Sequence, residues 1–297
     1  MGRRKYGVIC LIASGVLFGT APLSCYIAAI LGSNNNTFLA MRCLLAIPVI
    51  CLVLKKAHIP LRMPVLGARD GMIGATINGV CALLLTLSYG YIGGGMGTTL
   101  HFVYPMCVMM FCCLIYKAKV NLLKIMALVL GTGGVALFGG AGGDISLTGI
   151  VLAVLSGVVY SIYIVYIEHS HINKLHPLQM AIFSNLGMGM VALIYGIVSK
   201  QFSLVHYTPW TVLFCIVPIL TASLGAQPLF QIGVRNTDAT TSSLLSTTEP
   251  ITAVILGILF MHEEMTLAKL MGCVCILCGV LLVILGEHHE GETEEIS

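Results

Sequence analysis

The stretch Thr148–Glu168, TGIVLAVLSGVVYSIYIVYIE, carries no charged residue before its last position. A helix of about 20 residues rises about 30 Å, the thickness of a bilayer's hydrocarbon core, so this stretch predicts one membrane crossing. Similar apolar runs lie near 7–31, 36–54, 70–91, 96–116, 121–140, 177–198, 210–233, 239–261 and 267–286, which makes ten spans with 148–168. None alternates as a barrel strand would, and an open strand in hydrocarbon would leave backbone groups unpaired. The sequence therefore predicts an all-α polytopic membrane protein.

Composition agrees. Of 297 residues, 58% are hydrophobic and 9% charged, against about 25% charged in soluble chains, so the polar material cannot cover a water-facing surface. A soluble enzyme is excluded. The net charge of +3 is small and the basic residues are scattered, so nucleic acid is not an expected partner. Twelve cysteines sit mostly inside apolar runs, as Cys107, Cys112, Cys113, Cys215 and Cys273 do, and read as small apolar helix residues. The thiols of Cys273–Cys278 and the sulfurs of Met106–Cys113 read as packing, because Met and Cys are routine space fillers and no full ligand set accompanies them. No cofactor or metal is expected, and the chain has no Walker A motif. The N-terminal Arg3-Arg4-Lys5 precedes an apolar run too long for a signal peptide, which makes it a first span.

Positive charge sets the expected orientation. With the N-terminus in the cytoplasm, inside segments hold Arg3, Arg4, Lys5, Lys55, Lys56, Arg62, Arg69, Lys117, Lys119, Lys124, Lys174 and Arg235, while outside segments hold Lys200 and Lys269. Both termini are then cytoplasmic in a multi-pass protein of the plasma (inner) membrane. The acidic tail 287–297 reads as a disordered cytoplasmic appendage.

The chain also repeats itself. A shift of 145 residues lays Pro105 on Pro250, Lys124 on Lys269 and Gly134 on Gly279, and a shift of 142 lays Gly15-Val16 on Gly157-Val158. Two five-helix units follow, 7–140 and 148–286. Five is odd, so the second unit crosses in the opposite sense, giving two inverted five-helix repeats with Gly139–Gly143 as their joint. Close helix approach is expected at the pairs Gly15 with Gly19 and Gly90 with Gly94.

Several intramembrane residues can carry chemistry. Pro105 and Pro250 cannot donate to the carbonyls of His101 and Ser246, which predicts a kink and a free acceptor at matching places in both halves, a pointer to a transport site. Glu249 lies about ten residues into span 9, about 15 Å deep, where an ionised acid is costly unless paired, hydrated or protonated. It reads as a proton-coupling group, a substrate ligand or a structural partner of Arg42. Thr240 to Ser243 and Ser246 to Thr248 make the first half of span 9 hydrophilic, and hydroxyls at this density line a wet cavity or bond back to their own helix. Asn78, Gln227, Gln231 and His101 are further candidates; Gln227 and Gln231 share a helix face and either present amides to a solute or tie spans together.

Met41-Arg42-Cys43-Leu44-Leu45-Ala46, Tyr104-Pro105 and Thr248-Glu249-Pro250, with Gly272 and Gly279 in span 10 and Ala127 to Gly134 in span 5, resemble the EamA-type branch of the drug/metabolite transporter superfamily. The resemblance implies a secondary transporter, frequently an exporter, of small organic solutes such as amino acids, their derivatives or drugs. Solute would bind between spans 1, 3, 4, 6, 8 and 9, with spans 5 and 10 supporting. The substrate-binding or coupling set is then Glu249, Arg42, His101, Tyr104, Ser246, Thr247, Thr248, Gln227, Gln231 and Asn78, with helix breaks at Pro105 and Pro250. Expected partners are a small organic solute, protons as a coupling ion, and membrane lipid. The competing readings are an intramembrane enzyme, which lacks an HExxH or GxGD motif here, and a lipid-handling protein.

Overall fold

A helix in hydrocarbon satisfies its own backbone except at its ends, where the first N–H groups need outside acceptors. Polar residues just before the apolar runs meet that need. Asn34 accepts from the Thr37 N–H at 2.7 Å, Asn121 from Lys124 at 2.8 Å and Asp238 from Thr241 at 2.8 Å. Other helices stop where a non-glycine residue takes positive φ, as Lys117 (53°) and Lys200 (57°) do.

The structure is a computed structural model that describes residues 2–117, 120–137, 146–204, 209–261 and 266–296. Lys119, the predicted joint Gly139–Gly143 and Asp144 lie outside these. Ten apolar helices are found among the described residues: α1 Arg3–Ile30, α2 Asn35–Lys56, α3 Val65–Ile92, α4 Gly97–Tyr116, α5 Leu122–Ala136, α6 Leu147–His169, α7 Pro177–Val198, α8 Pro209–Asn236, α9 Ala239–Phe260 and α10 Leu267–Ile296. Their outer faces carry exposed apolar side chains such as Leu114, Val198 and Trp210, as lipid contact requires. The acidic tail read as disordered continues the backbone of α10 as helix to Ile296.

Helical backbone also runs unbroken through the corner from α3 into α4. Tyr89 Oη nevertheless lies 3.1 Å from Thr98 Oγ1, although a straight helix would set the two backbone positions about 13.5 Å apart along its axis and on opposite faces. The chain therefore doubles back between Ile92 and Gly97.

The helices pair in a reciprocal pattern. α1 packs on α8 and α9, whereas α6 packs on α3 and α4; α2 packs on α7, and α5 on α10. The last pair meets through the small residues singled out in the sequence. A methyl group on Gly134 would lie 2.7 Å from the Gly272 carbonyl, and one on Gly279 would lie 3.1 Å from that of Ala127. In the α3–α7 contact, Gly187 abuts the Ala75 carbonyl directly. Gly90 does not behave as expected, since a methyl group there would meet nothing within 4 Å, and its pair mate Gly94 lies outside the residues whose contacts are described.

Candidate functional site

Three helices are interrupted near the centre. α4 ends its first segment at His101, turns through Phe102 and Val103, and resumes at Tyr104 with Pro105 in its first turn. α9 does the same, from Leu245 through Ser246 and Thr247 to Thr248, with Pro250 two residues on. α1 breaks at Gly19 and Thr20 ahead of Pro22. Its counterpart α6 is continuous, and Ile164 stands where the 142-residue shift places Pro22. α8 widens to i→i+5 turns over Ile219–Ala226, just before Pro228.

At the breaks the backbone tightens to three-residue steps. Val103 N–H donates to the Leu100 carbonyl at 3.3 Å, and Thr247 N–H to that of Leu244 at 3.2 Å. The expected free acceptor at Ser246 is absent, because the Glu249 N–H takes that carbonyl at 3.0 Å in place of the missing proline donor. The His101 carbonyl meets Gly157 of α6, where a methyl group would lie 2.5 Å from it. In the other half Gly15 of α1 meets the α9 break: its methyl would collide with Thr248 Oγ1 and lie 3.3 Å from the Glu249 nitrogen. Gly19, one turn on, faces the Glu249 carbonyl in the same way at 2.7 Å, so the Gly15 and Gly19 pair does bring helices together. The glycines that the repeat superposes thus each seat the proline break of the opposite half.

Around the α4 break stands an aromatic cluster. Tyr104 and Tyr160 meet edge to face with centroids 5.0 Å apart, His101 lies 5.4 Å from each, and Phe102 and Tyr163 extend the group. His101 Nδ1 lies 2.8 Å from Ser156 Oγ, whose single proton goes to the Ala153 carbonyl at 2.6 Å. In that arrangement the ring donates through Nδ1–H and Nε2 carries the lone pair.

Glu249 is half-buried at the start of the second α9 segment. Among the described residues its carboxylate has no ion-pair or hydrogen-bond partner, and it stands close enough to act electrostatically on the phenols of Tyr89, Tyr104 and Tyr160. Arg42 lies elsewhere, beside the thiols of Cys25, Cys43 and Cys215, so the two charges do not pair. The hydroxyls of the polar run are buried, and most spend their protons on their own helix: Ser243 on Thr240, Ser246 on Ser242, Thr247 on Leu244 and Thr248 on Leu245, at 2.6–3.0 Å. Ser246 also abuts the Tyr104 phenol.

The amide candidates divide. Gln227 Oε1 accepts from Asn185 Nδ2 at 2.8 Å, and Asn185 Oδ1 accepts from Ser223 at 2.7 Å, which ties α7 to α8. Gln231 is 1% exposed and, among the described residues, its Oε1 finds no hydrogen-bond donor. Asn78, also buried, stands on α3 one turn after Gly74, which faces Tyr163.

A second polar centre, at the end where α1 begins, escaped the sequence reading. Lys124 Nζ reaches Asp238 at 3.2 Å and Arg4 reaches the same carboxylate at 3.8 Å, while the Ala239 N–H donates to Glu168 at 3.2 Å. Alongside, Asp70 accepts from His171 Nδ1 at 2.9 Å, Gln179 donates to the Pro60 carbonyl at 2.7 Å, and Arg235 donates to the Leu175 carbonyl. Asp238 directly before the run 239–261 was the legible sign, since aspartate is a preferred residue at a helix N-cap.

A crystal structure 14% identical in sequence superposes with a TM-score of 0.81 over 96% of this chain and 99% of the other, which shares the fold. An uncharacterized transporter, YvbV, of Bacillus subtilis is 26% identical over 67% of this chain, and one of Archaeoglobus fulgidus is 28% identical over 61%. The alignments span 66% and 62% of those relatives, just under two thirds of their lengths. Residues 147–285 match the EamA-like transporter family. The family match over α6 to α10 and these relatives support what the sequence resemblance implies, an EamA-type transporter.

Proposed function

We propose that this protein carries a small organic solute across the plasma membrane by alternating access, with two inverted five-helix repeats rocking about the central breaks. The observation that carries this reading is the reciprocal seating of Gly15 on the α9 break and Gly157 on the α4 break. Each half supplies the surface on which the other half's interrupted helix rests, so a shift at one break is felt by the opposite repeat.

With both termini cytoplasmic, the polar centre built on Asp238 is an inner gate. Its contacts Lys124–Asp238, Asp70–His171 and Gln179–Pro60 each join a residue of the first repeat to one of the second, and Arg4, just ahead of the first repeat, reaches Asp238 as well. At the other end neutral hydrogen bonds join the repeats along the α2–α7 edge, such as Asn36 to the Ala192 carbonyl at 3.0 Å. Glu249, His101 and Tyr104 are the central contacts for solute, Glu249 serves as the proton-coupling group, and export is the working direction. His101 is bonded to Ser156 and not to Glu249, which gives the competing enzyme reading no acid–base pair.

Counterflow tests the reading. Proteoliposomes preloaded with members of a panel of amino acids, their derivatives and other small metabolites should accumulate the labelled form of at least one. Glu249→Gln should change its rate or pH dependence between pH 5 and 8. Absence of counterflow for every member in folded protein would sink the reading.

A further inference from the structure

We propose that the groove between α1, α8 and α9 holds an acyl chain of a bilayer phospholipid as a fixed component of the folded protein. The site is separate from the central contacts for solute and does not depend on transport.

Three helix segments wall the groove: the second segment of α1, Ala21–Ile30, the first of α8, Pro209–Pro218, and the second of α9, Thr248–Met261. Each contributes side chains one turn apart, Leu23 and Ile27 from α1, Phe214 and Val217 from α8, and Leu256 and Phe260 from α9. The groove, of about 280 Å³, therefore runs along the helix axes, the direction in which lipid chains lie. On α1 it extends from Thr20 to Ile27, about 10 Å of the roughly 15 Å that one leaflet's hydrocarbon occupies. Its end toward the midplane is closed, since Thr20 Oγ1 lies 3.0 Å from Thr221 Oγ1 of α8 and Gly19 abuts Thr252 of α9. Sideways it is open. Phe214, Val217 and Phe260 form an exposed rim among the lipid-facing side chains, while Leu23, Ile27 and Leu256 lie deeper and half-buried.

The chemistry of the walls selects the occupant. Among the described residues their polar side chains are Thr20 and Ser24, and both are engaged: Thr20 donates to the Leu17 carbonyl at 2.7 Å and Ser24 to that of Thr20 at 3.2 Å. No wall residue carries a charge, so a polar solute gains nothing there. A partner helix is too wide, about 10–12 Å with its side chains, and eight wall residues fall far short of the roughly 20–30 a side on which a stable protein interface rests. What reaches an apolar groove at this depth is hydrocarbon. Trp210, the only tryptophan of the chain, is exposed one turn before Phe214 on the same face, at the start of α8, where headgroups meet hydrocarbon. A chain hanging from a headgroup beside Trp210 enters the groove without bending. Two of the walls end at irregular backbone, α1 at its break and α8 at the widened turns over Ile219–Ala226, and a chain between them braces both.

The test uses full-length protein purified in mild detergent, with dioleoylphosphatidylethanolamine as probe and native mass spectrometry and the unfolding midpoint as readouts. One phospholipid per protein is expected to survive delipidation, and adding the probe back should raise the midpoint saturably. Dioleoylphosphatidylglycerol should bind within a few fold, because no wall residue reads the headgroup, whereas a dihexanoyl lipid should bind at least tenfold more weakly. Val217→Trp, which fills the groove from its exposed rim, should weaken the probe at least tenfold. Leu213→Trp, exposed on the same segment but not on the walls, should leave it within a few fold, which separates a filled groove from a damaged fold. Equal binding by both variants, or equal loss in both, would overturn the proposal. So would free oleate that binds more tightly than the phospholipid, or a dimer that Val217→Trp breaks and phospholipid leaves unchanged.

Discussion

Gly157→Ala is the substitution on which the reciprocal-seating argument can be tested most directly. The added methyl would stand 2.5 Å from the His101 carbonyl and 2.8 Å from Val103 Cγ1, against an ordinary contact of 3.4 Å or more. One neighbour is backbone, so α6 must withdraw from the α4 break by close to an ångström. Overpacking of that kind costs about 1–3 kcal/mol, and the better helix propensity of alanine returns about 0.5–1 kcal/mol. The net expectation is a loss of about 1–2 kcal/mol, or a fall of a few degrees in the unfolding midpoint. Gly133→Ala is the control, because its methyl would meet nothing within 4 Å. Thermal unfolding in detergent, followed by size exclusion, reads the stability, and counterflow reads the rate. If Gly157→Ala melts at or above the parent and transports normally, the α4 break does not depend on α6 and the reasoning fails. Equal damage from Gly133→Ala would show that any added methyl is harmful, which also refutes it.

Asp238→Asn removes one ionic partner of Lys124, whose side chain is only 6% exposed, and should loosen the end where α1 begins; Cys112, in a variant retaining that cysteine alone, should react faster with a membrane-permeant maleimide. No change in rate would mean the cluster is no gate. Asn185→Ala strands Gln227 and Ser223 in the α7–α8 contact and should lower stability by about 1–3 kcal/mol, seen as an earlier unfolding midpoint. His176, outside the membrane, accepts from the Leu178 N–H at 3.2 Å and must be neutral to do so; burial, and then the charge of Arg235, hold its pKa below the ordinary value. A depressed folded-state pKa means the cap contributes above the unfolded value of about 6.5 and is lost as pH falls through the folded one, so Leu178 amide exchange, corrected for its intrinsic pH dependence, should quicken in mild acid. A reporter fused after Lys200 should read as external, and a cytoplasmic signal there would reverse the orientation.

Ten helices were legible because hydrocarbon thickness imposes one length on every span, and that length survives in the sequence without knowledge of partners. The breaks in α4 and α9 were legible for a related reason, since Pro105 and Pro250 delete a donor wherever they sit in a helix. The contacts of α5 with α10 also show in the sequence, where Ala127, Gly134, Gly272 and Gly279 leave room for backbone to meet backbone. Pro22 carried the same message for α1 and went unread. Other features depend on what lies across the bundle. Gly90 looks like Gly15 in sequence, but only Gly15 has a helix in front of it. A run of seven hydroxyls suits a wet wall or a packed core equally well, and the choice rests on whether the i−3 and i−4 carbonyls take the protons, as they do here for most. Arg42 and Glu249 are the membrane charges most easily imagined as a pair, yet the fold sends one toward the thiols of Cys25, Cys43 and Cys215 and the other toward tyrosines.

The inner cluster also sets how firmly the two halves hold together. Asp238 is 30% exposed on its side chain, so solvent screens its pairing with Lys124 and Arg4, and the contact contributes nearer 1 than 5 kcal/mol. A transporter needs that range. A gate stronger by several kcal/mol would leave the alternate state too rare to use, whereas a gap of a few kcal/mol keeps it at about 0.1–10% of molecules, within reach of a solute's differential affinity. The position of Asp238 makes the link to the centre short. It caps the first segment of α9, Ala239–Leu245, and the break at Ser246 and Thr247 separates that segment from Glu249. On the proposed function, solute at Glu249 and ion pairing at Asp238 would act on the two arms of one interrupted helix, with the break as the joint at which the first would bias the second.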